Sequence, residues 1–267
     1  ALYVHEGSWA VVSRNSAALR WIGSDDATTC HLIAMVGASH VAVSHVDRSR
    51  PEDVEAHLHD MSAALGEDGK IEVYVCGGMA GDDIPAGAGA DESVQISLAV
   101  LQALVDSPRR FALRLAAVSH LNRSDDLGCP AARGLVVELS TGHVARGQYA
   151  ELARGCELDL RLAAASLYQT GRGMPCGYDE EEDVYRVPAP QLVCCCEGSL
   201  KSVEERLEMS DEEIMAHIGT SPGYEQPRFA RDIRAKSERA MRESRACRAA
   251  AGDVGAVAVA HRHERRG

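Results

Sequence analysis

The stretch Gly23-Ser24-Asp25-Asp26-Ala27-Thr28-Thr29-Cys30-His31 ends where the apolar run LIAMV at residues 32–36 begins. This pattern predicts that a polar loop enters a buried strand at Cys30. A second strand-like run, VAVS at residues 41–44, leads directly to His45. Two adjacent strands would bring Cys30 and His45 to the same end of one sheet.

A cysteine next to a histidine is suited to nucleophilic catalysis. The thiol attacks a carbonyl as its thiolate, and an imidazole can accept the thiol proton and stabilise the resulting ion pair. Ser24, in the same loop as Cys30, offers an oxygen that would orient His45 as an Asp or Asn does in other cysteine hydrolases. The alternative is a buried strand cysteine beside a surface histidine, since the chain has nine cysteines and eleven histidines.

The other polar residues of this stretch have structural alternatives. Asp25 and Asp26 either accept backbone hydrogen bonds in a turn or present a carboxylate to a substrate amine. His31 would point to the opposite face of the strand from Cys30, so we expect it to be structural.

Composition limits the classes of partner and location. The net charge of −12, from 28 basic and 40 acidic side chains, argues against nonspecific binding to nucleic acid and favours cationic partners. No apolar run approaches the ~20 residues that cross a bilayer, so we expect a soluble protein. The nine cysteines follow no paired spacing, which indicates reduced thiols of a cytoplasmic or nuclear protein. Residues 194–196 (CCC) lack the second pair that a zinc site needs, so no metal is predicted. Because Ala1 already lies in a strand-like segment, we expect an N-terminal stretch to be missing.

The order of strands and turns predicts an α+β fold. Strand-like runs cover residues 2–12 and 17–22, and hairpin-like units separated by polar turns fill residues 111–149. These features favour two mainly antiparallel sheets flanked by helices. We predict a single catalytic domain over residues 1–248 and a disordered tail over residues 249–267.

Two helices carry clear start signals. Residues 51–65 begin with Pro51, have acidic residues in the first turn and place apolar residues at helical spacing. His57 and His59 of this helix are predicted to face solvent. Residues 210–218 form a second amphipathic helix, which begins with Ser210 and Glu213 in the spacing of a capping box.

Three motifs resemble those of one enzyme family. GSDDATTCH at residues 23–31, VYVCGG at 73–78 and TSPGYEQPRF at 220–229 follow the order found in the protein N-terminal asparagine amidohydrolases. These eukaryotic enzymes convert an exposed N-terminal Asn into Asp. A Ser ahead of a Cys, with a His on the next strand, also resembles the wider group of cysteine deamidases that includes the catalytic domain of cytotoxic necrotizing factor.

The resemblance implies roles for individual residues. It makes Cys30 the nucleophile, His45 the general base and Ser24 the polar third member of the site. It also places Gly77 and Gly78 beside the active site, where they would shape the substrate pocket. In the loop at 220–229 it gives Glu225 the task of holding the substrate's N-terminal ammonium, although Gln226 stands where the family has proline.

The resemblance further implies the reaction and its setting. The protein would hydrolyse the side-chain carboxamide of an N-terminal Asn through a cysteine thioester, release ammonia and feed an N-degron degradation pathway. It would act as a monomer on proteins and peptides with a free N-terminal Asn, without a cofactor, nucleic acid or membrane. Two alternatives remain: a deamidase of another protein amide, such as an internal Gln, and an inactive module that binds N-terminal residues.

Overall fold

The computed structural model describes residues 1–47, 50–66, 69–79, 90–122, 130–150, 174–175, 178–179, 182, 184–185, 197–218 and 227–252. Within these residues it contains twelve β-strands and five α-helices, so the predicted α+β class is confirmed. No helix in this part of the chain is long and apolar enough to cross a membrane. The chain forms two compact units, Ala1–Pro190 with Ile218–Gln226 and Gln191–His217 with Pro227–Gly267.

The first unit is built on two open sheets. The larger one has six strands, which are β2 (Ser8–Ser13), β4 (His31–Val36), β5 (His40–Val46), β6 (Ile71–Gly77), β7 (Phe111–Val118) and β10 (Met174–Pro175). Their order in the sheet is β10-β2-β5-β4-β6-β7. The central strand β4 is buried along its whole length, because both of its faces are covered.

The smaller sheet has four strands, which are β1 (Leu2–Tyr3), β3 (Trp21–Ser24), β8 (Leu135–Glu138) and β9 (Val144–Arg146), in the order β1-β3-β8-β9. Strands β11 (Tyr178–Asp179) and β12 (Val184–Tyr185) form a separate antiparallel ribbon. Three strand pairs, β1 with β3, β2 with β10 and β6 with β7, are parallel, so the sheets are mixed. The specific likeness to the cysteine deamidase fold stays a prediction.

Alternation along β4 separates two hydrophobic cores. Leu32, on one face, belongs to a core shared with Ile22 and Leu135 of the four-stranded sheet, so the two sheets pack face to face. Ile33, on the other face, belongs to a core that includes Val54 and Ile96 from the helices. Residues of β4 and β5 therefore face either the core between the two sheets or the core beneath the helices.

Helices α1 (Pro51–Leu65) and α2 (Ala90–Asp106) cover the second face. Helix α1 begins and ends as predicted: Pro51 opens its first turn, and Gly66 follows it in the left-handed region at φ 68°. The prediction that His57 faces solvent is wrong, because this residue is only 2% exposed and its Nε2 is hydrogen-bonded to Ser44 Oγ. His59 is exposed, as expected.

The second unit contains α3 (Glu197–Glu208), α4 (Asp211–His217) and α5 (Pro227–Gly252). The predicted capping box at the start of α4 is confirmed, since Glu213 N donates to Ser210 Oγ at 3.2 Å and Ser210 N donates to Glu213 Oε2 at 2.7 Å. The single domain over residues 1–248 stays a prediction, and residues 253–267 lie outside the described part of the chain.

One strand prediction near the N-terminus is wrong. Residues 2–12 were expected to form one strand, but β1 ends at Tyr3 and β2 begins at Ser8. Gly7 lies between them at φ 74°, a conformation that interrupts an extended chain. The resulting turn carries Glu6 towards the candidate site.

Candidate active site

Strand register places Cys30 and His45 on the same face of the six-stranded sheet. Leu32 lies directly opposite His45 in the antiparallel pair β4 and β5. Cys30, two residues before Leu32, packs against the core between the two sheets, and residues that lie opposite each other share a face. The sequence prediction that neighbouring strands bring these two residues to one sheet end is therefore confirmed.

A hydrogen bond across the two sheets holds the histidine. Ser24 is the last residue of β3 in the four-stranded sheet, and its Oγ lies 2.9 Å from Nδ1 of His45 in the six-stranded sheet. Both side chains are buried, with Ser24 0% and His45 3% exposed. The hydrogen bond at Nδ1 fixes the orientation of the imidazole ring. It leaves Nε2 as the nitrogen that can accept a proton.

The Cys30 thiol is half-buried and donates to a carboxylate. Its Sγ lies 3.6 Å from Oε1 of Glu6, a residue that sequence analysis did not identify. Burial raises the pKa of the Cys30 thiol well above its usual value, and the negative charges of Glu6 and Asp47 raise it further. A hydrogen bond from the Thr29 side chain acts in the opposite direction. The described site therefore favours the protonated thiol.

Glu6 reaches the cysteine because its turn is fixed to the neighbouring strand. The backbone N of Gly7 donates to the carbonyl oxygen of His45 at 2.9 Å. On the next residue, Ser8 Oγ donates to the carbonyl oxygen of His5 at 2.6 Å. The signal that could have found this turn is Gly7, since a glycine inside a strand pattern marks a bulge or turn.

His31 lies on the opposite face from Cys30, as expected. Its Nε2 is 2.7 Å from Ser97 Oγ of α2, and that hydroxyl is 2.9 Å from Ser119 Oγ. Burial lowers the pKa of His31 from 6.5 to about 4, against a raising effect of the Thr29 backbone. The imidazole is neutral at physiological pH, which suits a structural residue between the sheet and the helix.

Gly77 and Gly78 lie against the backbone that carries the nucleophile. Gly78 N donates to the carbonyl oxygen of Cys30 at 3.0 Å. A Cβ on Gly78 would lie 2.8 Å from Cε1 of His31 and 2.9 Å from Ser93 Oγ, and its φ is +74°. Both glycines have positive φ, so this close approach depends on the absence of a side chain. They shape the Cys30 segment, and contact with substrate stays a prediction.

Asp25 makes the hydrogen bonds expected from the structural alternative. Its side chain is 1% exposed, Oδ1 accepts from Tyr3 OH at 3.0 Å and Oδ2 accepts from Tyr149 N at 2.6 Å. Asp26 is half-buried with φ 57°, a left-handed conformation that Asp tolerates. Both residues line a cavity of about 360 Å³ that Arg133 and Arg146 also line. Asp25 therefore ties β1 and the segment after β9 to the loop that follows β3.

Two predicted features lie outside the described residues. These are Glu225, with the loop that carries it, and the cysteines at residues 194–196. Within the described ranges, no group of three or more His, Cys, Asp or Glu side chains is arranged to hold a metal ion.

Comparison with known proteins adds the family. The profile described as Protein N-terminal asparagine amidohydrolase matches residues 1–248. Relatives that bear this name in Mus musculus and Homo sapiens are each 26% identical to this chain over 243 residues, covering 87% of this chain and 72% of their own length. One from Arabidopsis thaliana is 24% identical over 257 residues, covering 87% of this chain and 71% of its own. With the profile matching well over half of its length, the chain belongs to the protein N-terminal asparagine amidohydrolase family.

Proposed function

We propose that this protein hydrolyses the side-chain amide of an N-terminal Asn to Asp and releases ammonia through a thioester on Cys30. The family match supports the substrate class. The observation that carries the proposal is the buried hydrogen bond between Ser24 Oγ and His45 Nδ1, on the sheet face that also holds Cys30. This arrangement has the order of nucleophile, base and orienting group that a cysteine hydrolase needs.

The first half of the reaction forms the thioester. With Nδ1–H donating to Ser24 Oγ, Nε2 of His45 accepts the proton of the Cys30 thiol. The thiolate attacks the side-chain carboxamide carbon, and backbone N–H groups near Thr29 and Cys30 stabilise the oxyanion. The imidazolium then returns its proton to the leaving nitrogen, and the C–N bond breaks to release ammonia.

The second half consumes a water molecule. His45 removes a proton from the water, the hydroxide attacks the thioester carbonyl, and the C–S bond breaks. The products are an N-terminal Asp and the Cys30 thiolate, which recovers its proton from His45. Since each proton and each bond is accounted for by Cys30, His45 and water, the scheme needs no cofactor.

Substrate selection requires a free N-terminus and a short side chain. We propose that Glu225 pairs with the substrate's α-ammonium, as the family resemblance implies. A Gln side chain is one methylene longer than Asn, which would move its carboxamide past the nucleophile by ~1.5 Å and lower the rate. The resulting Asp would mark proteins for an N-degron pathway in the cytoplasm or nucleus, with the enzyme acting as a monomer.

The test is a panel of three otherwise identical peptides that begin with Asn, Gln and N-acetyl-Asn. Mass spectrometry follows the replacement of the amide NH2 by OH in each. We expect conversion of the Asn peptide and little conversion of the others. Equal conversion of the acetylated peptide would favour an internal amide as substrate, and binding without any conversion would favour an inactive module.

A further inference from the structure

Glu6, an acidic residue that the sequence analysis did not identify, lies beside the nucleophile. The Sγ–H of Cys30 donates to Oε1 of Glu6, with Sγ and Oε1 3.6 Å apart. Glu6 is half-buried as a residue. Its turn is anchored to the backbone of His45 through Gly7 N, which donates to the His45 carbonyl oxygen at 2.9 Å. The fold thus holds the Glu6 carboxylate against the thiol and anchors its turn to the strand that carries the base.

This carboxylate opposes the chemistry that Cys30 must perform. A negative charge beside a thiol disfavours the thiolate, and Glu6 and Asp47 both act in this direction on a thiol that burial already keeps protonated. Glu6 is also a poor base for the thiol, because the usual pKa of a glutamate is about 4 units below that of cysteine. Burial therefore favours the protonated thiol most, and the Glu6 carboxylate adds to this preference.

An N-terminal Asn brings a positive charge to this position. Its α-ammonium nitrogen is three bonds from the side-chain carboxamide carbon, so the two atoms lie roughly 3 to 4 Å apart. The thiolate attacks that carbon from about 3–3.5 Å. An ammonium within hydrogen-bonding distance of Glu6, about 2.8 Å, is therefore compatible with a carboxamide carbon in contact with Sγ.

We propose that Glu6 couples recognition of the substrate's α-ammonium to activation of Cys30, so that the thiol loses its proton only when a cationic N-terminus has become the carboxylate's partner. The proposal rests on the proposed function and adds a control step to it. An ammonium has three N–H donors, so it can pair with Glu6 and with Glu225 at the same time. When it pairs with Glu6, Sγ loses its hydrogen-bond acceptor and the charge of Glu6 is neutralised, while that of Asp47 remains. The thiol proton then moves to Nε2 of His45, and the thiolate forms beside the bound carboxamide.

The device would distinguish substrates at the chemical step. A peptide with an acetylated N-terminus has no charge to neutralise Glu6, so it would meet a protonated thiol even if it bound. The same arrangement would keep the free enzyme's cysteine poorly reactive towards electrophiles, since the thiolate is the reactive form. This second consequence can be measured without any substrate.

The test begins with the free protein. Labelling of Cys30 by iodoacetamide, a neutral reagent, is followed by peptide mass spectrometry in wild type, Glu6→Gln and Glu6→Asp. Glu52→Gln serves as the matched control, because Glu52 is an exposed glutamate in the first turn of α1. Removing the charge in Glu6→Gln should speed labelling at pH 8 about three- to tenfold. Glu6→Asp keeps the charge and should stay closer to wild type, and Glu52→Gln should match wild type.

The second measurement uses substrate. For Glu6→Gln, kcat/KM for the free Asn peptide relative to the N-acetyl-Asn peptide should fall at least about tenfold, because the variant no longer responds to the ammonium. Unchanged or slower labelling of folded Glu6→Gln, or an unchanged ratio, would overturn the role of Glu6. Failure of the wild-type protein to convert any Asn peptide would instead overturn the proposed function, and the labelling result would still decide whether Glu6 holds the thiol.

Discussion

Substitution of Ser24 by Ala tests whether the hydrogen bond between the two sheets serves catalysis. Ser24 is 0% exposed, and its Oγ lies 2.9 Å from Nδ1 of His45. In Ser24→Ala no side-chain atom takes the place of this oxygen. Nδ1 of His45 therefore loses the hydrogen bond that fixes the orientation of the ring. We therefore expect the general base to act in poorer orientation while Cys30 stays in place.

The size of the effect follows from the loss of one buried hydrogen bond. Leaving a buried polar group without its partner costs about 1–3 kcal/mol. If this energy is lost from the transition state, kcat/KM falls roughly 5- to 150-fold, since each 1.36 kcal/mol is a factor of about ten. The loss should appear mainly in kcat, because Ser24 does not touch the substrate in the proposed scheme.

A matched control lies on the other face of β5. Ser44 is also buried, and its Oγ is hydrogen-bonded to Nε2 of the buried His57 in α1. Ser44→Ala therefore removes a comparable bond on the helix side. Both variants should lower Tm by a few degrees, about 2–4 °C per kcal/mol for a protein of this size. Only Ser24→Ala should lower kcat. If both variants keep wild-type kcat, Ser24 is a packing residue and the assigned base is wrong.

Three further predictions concern the surroundings of the site. Gly78→Ala should lose about 1–3 kcal/mol of stability in urea unfolding, because φ is +74° and the new Cβ meets His31, whereas Gly69→Ala, whose Cβ meets nothing within 4 Å, should lose little. Burial lowers the pKa of His31 from 6.5 to about 4, so its stabilising contribution is full above pH 6.5 and falls by up to roughly 3 kcal/mol as pH drops towards 4. Urea unfolding from pH 7 to 4.5 should show a flatter pH dependence of stability for His31→Gln than for wild type; an unchanged slope in His31→Gln would contradict this. Glu225→Gln should cost about 1.5–3 kcal/mol in kcat/KM for the free Asn peptide and narrow its preference over the acetylated one; a wild-type ratio would show that the ammonium is bound elsewhere.

Local patterns were enough to predict the elements that hold the nucleophile and the base. The apolar runs before and after residue 37 predict the pair β4 and β5, whose register places His45 opposite Leu32, two residues after Cys30. The bounds of the helix Pro51–Leu65 follow from the sequence, because Pro51 and the acidic first turn mark its start and the apolar spacing continues to Leu65. In these segments the local preference and the tertiary environment agree, so periodicity was a sufficient guide.

The failures occurred where tertiary contacts decide the outcome. His57 was placed in solvent because it is polar, yet it lies three residues after Val54 and four before Met61, on the buried stripe of α1, where Ser44 provides its partner. The pattern of residues 2–12 predicts one strand and so does not reveal Glu6, because the turn at Gly7 depends on a hydrogen bond to the backbone of β5. The pairing of β3 with β8 joins segments far apart in sequence, which local periodicity does not encode.

The rate of Asn-peptide conversion by Cys30→Ala tests the central claim most directly. Wild type and variant are compared by mass spectrometry of a peptide with a free N-terminal Asn, after circular dichroism has shown that both are folded. We predict that the wild-type protein converts the peptide to its Asp form and that Cys30→Ala gives no conversion above the uncatalysed rate, because the thioester cannot form. Conversion by folded Cys30→Ala at a substantial fraction of the wild-type rate would contradict a mechanism in which Cys30 is the nucleophile.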